Sequence, residues 1–85
     1  MLVNNVGYGA PGQLLKQPLF DAMNTTAVNI SAMAQVSAAV MPKLLERAKD
    51  GKRSACINVS SLANYFNSPI ITLYGSSKAF NFNFS

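Results

Sequence analysis

The stretch "INVSSLANYFNSPIITLYGSSK", Ile57 to Lys78, holds a strand end, a structure-breaking loop and a helix start. Ile57 and Val59 are β-branched and sit in a strand candidate spanning Ser54 to Ser60. Asn64 to Pro69 is polar and interrupts regular structure. From Thr72, which can cap it, a helix is expected to run to Ser85. Tyr74 and Lys78 then share one helix face, with Cβ atoms about 5–6 Å apart. A cation beside a phenol favours the phenolate, whose pKa is ordinarily about 10. A tyrosine so placed can exchange a proton with an alcohol or carbonyl near neutral pH. Alone, a Y-x-x-x-K reads first as a helical tyrosine beside a solvated lysine.

Upstream, "MLVNNVG" reads as a short strand closing on Gly7, apolar enough to be buried on both faces. Gly7 to Pro18 carries Gly7, Gly9, Gly12, Pro11 and Pro18, and reads as a loop. From about Asn24 to Ala48 the spacing turns helical. Met33, Val36, Val40 and Leu44 form a stripe that Ile30, Met41 and Leu45 widen. Pro42 removes one hydrogen bond from this helix and predicts a bend, and "KDGKR" supplies a glycine stop. The order is strand, loop, long helix, strand, loop, helix: one β-α-β unit and the start of another. Such an order implies parallel strands and a right-handed crossover.

Gly7, Gly9 and Gly12 also spell G-x-G-x-x-G. A pyrophosphate loop of that kind must open directly into a helix whose N–H groups meet the phosphate. Here Pro11 lies inside the motif, Pro18 interrupts soon after it, and Asp21 comes too early to hold a ribose hydroxyl. The match reads as an accident of a glycine-rich loop.

Composition removes several other classes of function. The net charge is +4, but five of the seven basic residues fall between Lys43 and Arg53, where cations meet the negative end of a helix dipole. No interleaved aromatics mark a nucleic-acid surface there, so no nucleic-acid partner is expected. Histidine is absent and Cys56 is the single cysteine, which excludes an internal disulfide, the usual zinc sites and any Ser-His or Cys-His device. Cys56 itself reads as a small strand residue. The N-x-[ST] triplets at Asn24, Asn29, Asn58 and Asn83 are weak glycosylation signals in an Asn/Ser/Thr-rich chain, since no secretory signal is expected in it. Polar residues interrupt every apolar run short of the roughly 18 residues of a membrane span, so no membrane segment is expected.

"INVSS" ends its strand on Ser60 and Ser61, at the carboxyl edge where open α/β sheets hold ligands. Ser61 precedes Tyr74 by 13 residues, "NNVG" ends the other strand on the same edge, and Asn29 lies in the intervening helix. In this the sequence resembles the short-chain dehydrogenases/reductases. Their central portion has an N-N-A-G strand end, a helical asparagine, a strand ending in serine, and Y-x-x-x-K. The resemblance covers essentially the whole chain. With Val6 in place of the usual alanine, "MPKLLERAKDGKRSACINVSS" and "PIITLYGSSKAF" look most like one branch. It holds the very-long-chain 3-oxoacyl-CoA reductases and the related 17β-hydroxysteroid dehydrogenases.

The resemblance implies an α/β fold, part of a Rossmann-type doubly wound parallel sheet. Residues 1–85 would be its central part, with the cofactor-phosphate loop and the substrate region lying outside them. It implies an oxidoreductase interconverting a carbonyl and a secondary alcohol on a small-molecule substrate, with NADP as cofactor and NAD left open. The catalytic set would be Ser61, Tyr74, Lys78 and Asn29. Tyr74 would be the proton donor, Lys78 its electrostatic partner and a ligand of the ribose hydroxyls, and Ser61 a donor to the substrate oxygen. Asn29 would hold a water through its backbone carbonyl. Asn4 and Asn5 would brace the strand end beside the cofactor. A homodimeric parent at the endoplasmic reticulum membrane is implied by the branch, a cytoplasmic one otherwise. The 85-residue chain alone is expected to be marginal or unfolded, aggregation-prone and without turnover. A non-catalytic truncated product that binds another protein is the alternative.

Overall fold

Two three-residue strands, β1 (Leu2–Asn4) and β2 (Cys56–Asn58), pair in parallel with Leu2 opposite Cys56, Val3 opposite Ile57 and Asn4 opposite Asn58. The computed structural model describes residues 1–85. Backbone bonds Leu2 N–H to the Ala55 carbonyl and Val59 N–H to the Asn4 carbonyl, both 2.9 Å, extend the ladder at each end. Between the strands runs a continuous helical stretch made of α1 (Leu19–Thr26), a π-helical segment Ala27–Ala32, and α2 (Met33–Lys49). After β2 comes a 3₁₀ turn, Leu62–Asn64, and then α3 (Thr72–Phe84). Parallel strands bridged by a helical crossover are the α/β arrangement that the element order predicts, in the form of part of a Rossmann-type sheet.

Several local expectations are corrected. The first helix begins at Leu19 rather than Asn24, because Pro18 occupies its N-cap with φ −56° and leads straight into the first turn. Helix α2 runs through Pro42 without ending there. A π-helical departure from α geometry lies upstream, where Met33 N–H turns to the Ile30 carbonyl. Thr72 does not cap α3: it is the first helical residue, and its hydroxyl donates to the Ser68 carbonyl at 3.1 Å.

The strands are not buried on both faces. Leu2, Asn4, Cys56 and Asn58 are half-buried towards the helices, whereas the cross-strand partners Val3 and Ile57 point to solvent on the other side. The whole chain measures 51 × 24 × 14 Å, so its thin axis is little more than one helix of about 10–12 Å diameter. Only Met33 and Leu44 of the apolar stripe reach full burial. Thr25, Asn29, Ser37, Ser77, Lys78 and Asn81 are buried as well, so polar residues fill most of the interior. Cohesion therefore rests on hydrogen bonds more than on apolar area, and a chain this short has little of the latter to spare.

The helical stretch Leu19–Lys49 also revises the reading of membrane character. It is 31 residues long and includes an 18-residue window of mean hydropathy 1.2, long and apolar enough by composition to cross a bilayer. Here it spends Asn29 and Ser37 on contacts with the rest of the chain, as the crossover helix of an α/β layer does.

Candidate active site

The carboxyl ends of both strands feed one cluster. Asn4 Nδ2 lies 2.8 Å from Oδ1 of its cross-strand partner Asn58 and 2.9 Å from Ser37 Oγ on α2, which ties the strand end to the crossover helix. Asn5, next along, is exposed and makes no side-chain hydrogen bond.

Asn29 organises the loop that follows. Its side chain is fully buried: Oδ1 accepts from Tyr8 N–H at 2.7 Å, and Nδ2 donates to the Tyr8 carbonyl and to Ser77 Oγ, both at 2.8 Å. Ser77 Oγ in turn donates to the Tyr74 carbonyl at 2.7 Å. One amide thus fastens the Gly7–Gly12 loop to α3. With its amide oriented to satisfy both ends, Asn81 donates to the Asn29 backbone carbonyl at 2.6 Å. That carbonyl, which the sequence reading gives to a water, therefore has a protein donor on it.

The same end of the loop is also held by the Tyr8 side chain, whose hydroxyl donates to Asp21 Oδ1 at 2.6 Å. This bond, made by a residue that the late helix start hid, holds the Tyr8 phenol above its usual pKa of 10.0. The folded state keeps the Tyr8 proton longer than the unfolded chain does. The stabilisation is therefore complete below pH about 10 and is lost as pH rises through the raised value. Urea midpoints of the wild type and Tyr8→Phe should differ at neutral pH, the wild type higher, and converge in alkali. Parallel pH profiles would contradict the bond.

Lys78 is buried, at 3% exposure, one turn along α3 from Tyr74. Its ammonium stands 5.7 Å from the centre of the Tyr74 ring and donates to the Val59 carbonyl at 3.3 Å. Ser60 Oγ donates back to the Lys78 carbonyl at 2.6 Å, so α3 is pinned to the end of β2 from both sides. Ser61 caps the 3₁₀ turn, its Oγ accepting from Ala63 N–H at 3.2 Å, and its own hydroxyl proton is unspent. Ser61 and Tyr74 share no hydrogen bond, and the Tyr74 hydroxyl has no protein partner. The ring of Tyr74 walls a groove of about 300 Å³ together with Gly7, Gly9, Ala10, Pro11 and Ile71. A bond of 2.7 Å from Gly12 N–H to the Ile70 carbonyl closes the two loops over it.

The sequence reading treats Gly7 and Gly9 as ordinary loop glycines, and the structure gives them work. A Cβ on Gly7 would lie 3.1 Å from Lys78 Nζ, and one on Gly9 only 2.5 Å from a Tyr74 ring carbon. The glycines run into a three-residue 3₁₀ turn, Leu14–Lys16, and not directly into an α-helix, which begins only at Leu19. Tyr74 and Lys78 thus come together at the strand ends with Asn29 behind them, and Ser61 stands at the same edge.

Residues 1–85 match the short chain dehydrogenase family. The chain belongs to that family. Within it, the sequence is 37% identical over 84 residues to the very-long-chain 3-oxoacyl-CoA reductase of Anas platyrhynchos, covering 94% of this chain and 26% of that one. It is 38% identical over 84 residues to reductase A of the same name from Danio rerio, covering 94% of this chain and 25% of that one. The chain therefore spans about a quarter of the length of the curated relatives it matches, and it stands with that branch of the short-chain dehydrogenases. Among solved structures, a short-chain dehydrogenase from Sphingobium yanoikuyae in complex with NADPH superposes with TM-score 0.83 at 26% identity, covering 99% of this chain and 31% of that one. One from Burkholderia phymatum in complex with NAD gives 0.85 at 25% identity, covering 98% and 28%. These likenesses establish the Rossmann-type fold of the family to which the two strands and their helices belong.

The site's chemistry fits one end of a nicotinamide cofactor. A buried ammonium with a single 3.3 Å bond has N–H groups left to donate, and a buried charge short of partners is costly unless a ligand completes it. Beside it, the bare backbone of Gly7 lets Lys78 Nζ approach to where a Cβ would stand 3.1 Å away.

Proposed function

We propose that residues 1–85 carry the proton-transfer half of an NAD(P)(H)-dependent oxidoreductase that interconverts a carbonyl and a secondary alcohol, of the 3-oxoacyl-CoA or steroid type. The observation that carries this reading is the buried Lys78 ammonium, with donor capacity left over, 5.7 Å from the centre of a Tyr74 ring that itself walls a groove. NADP is the cofactor assigned from the branch. The endoplasmic reticulum membrane as the place of work follows from the branch alone.

When bound, the nicotinamide supplies or accepts the hydride. Tyr74 donates its phenolic proton to the substrate oxygen in reduction and takes one back in oxidation. Lys78 stabilises the negative charge that this leaves on the phenol and holds ribose hydroxyls with its remaining N–H groups. Ser61, whose hydroxyl proton is free, donates to the substrate oxygen as charge builds there. Asn29 works one step removed, by holding the Tyr8 loop against α3. Whether its carbonyl also serves a water depends on the second lone pair, since Asn81 takes one.

The test is a chimera in which residues 1–85 replace the matching quarter of the Anas platyrhynchos reductase. The chimera should consume NADPH in the presence of a 3-oxoacyl-CoA or a steroid ketone. A folded chimera that binds NADPH and reduces neither would refute the assignment.

A further inference from the structure

We propose, resting on the role given to Tyr74 above, that Gly9 is a positioning residue whose missing side chain sets where the Tyr74 phenol points. A Cβ built on Gly9 would stand 2.5 Å from Tyr74 Cδ2 and 3.1 Å from both Cγ and Cε2. That is closer than real carbon atoms approach, so the ring lies directly against the backbone of residue 9. The need is for space and not for backbone freedom: the positive-φ glycines are Gly12 and Gly51, and Gly9 is not among them. Neither side of the contact can yield cheaply. The loop is clasped by Asn29 at Tyr8 and tied through Gly12 to Ile70, while Tyr74 is fixed by α3 and by Ser77 on its carbonyl. A methyl at position 9 would therefore be relieved mainly by a swing of the whole Tyr74 side chain about χ1, since turning the ring about its own axis leaves Cγ in contact. That swing displaces the hydroxyl and shifts it relative to Lys78. Displacements of about 1 Å in a reacting group cost on the order of 10²-fold in rate.

The experiment uses the chimera described above, with ¹³C-labelled tyrosine rings, studied by NMR. In the wild type the Gly9 α-protons should be displaced from their random-coil positions by the neighbouring ring. That displacement should persist in Tyr74→Phe and vanish in Tyr74→Leu. In Gly9→Ala the Tyr74 ring signals should move, while those of Tyr65, packed edge-on to Phe82 at 6.0 Å, stay in place. Gly9 protons at one position in both wild type and Tyr74→Leu would overturn the proposal, as would Tyr74 signals that Gly9→Ala leaves unmoved. If Gly9→Ala does not fold, the Tyr74→Leu comparison decides alone. Neither comparison reads turnover, so an inactive chimera would count against the function and leave this contact standing.

Discussion

Replacing Tyr74 with phenylalanine is expected to lower kcat of the chimeric reductase by about 10²–10⁴-fold, the range that a positioned acid or base contributes, with cofactor affinity preserved. The substitution removes one oxygen and little else. The ring keeps its seat on Gly9 and its place 5.7 Å from the Lys78 ammonium, and the Ser77 bond to the residue 74 carbonyl is untouched. The hydroxyl itself bonds to nothing in the protein, so its loss leaves no buried partner stranded and should cost little stability. Steady-state kinetics for kcat, fluorescence titration for NADPH binding and a thermal melt separate the three quantities. Undiminished kcat in this variant would remove Tyr74 from the chemistry.

The second large effect falls on stability. Asn29→Leu should destabilise the fold by about 2–4 kcal/mol, because it strands a donor and an acceptor of Tyr8 and one partner of Ser77. Set against the 5–15 kcal/mol typical of whole domains, and with an interior in which only Met33 and Leu44 are buried apolar residues, that loss is a large share of the total. Asn29→Asp keeps an acceptor for Tyr8 N–H and should fall between the two. Asn83→Leu, on the exposed end of α3, is the control. Urea unfolding followed by circular dichroism reads all three, and equal midpoints for Asn29→Leu and Asn83→Leu would contradict the clasp.

Much of this site could be read from the sequence, because its signals are local. Tyr74 and Lys78 meet through helical spacing alone, and "NNVG" and "INVSS" mark strand ends whose parallel pairing follows from the crossover. The rest depends on partners far apart in the chain. Nothing local announces that Asn29 will reach back 21 residues to Tyr8, or that Gly9 will lie under Tyr74. The early start of the crossover helix was hidden because Leu19 and Phe20, although apolar, are exposed and belong to no buried stripe. The strands look buried on both faces in sequence because Val3 and Ile57 are apolar, yet within residues 1–85 both stay about half exposed.

The relation of substrate to protein decides the matter. A crystal structure of the chimera with NADPH and a non-reducible ketone should show the ketone oxygen within hydrogen-bond reach of both the Tyr74 hydroxyl and Ser61 Oγ, with Lys78 on the ribose. A ketone oxygen held by other groups, with Tyr74 turned out of the groove, would contradict the account.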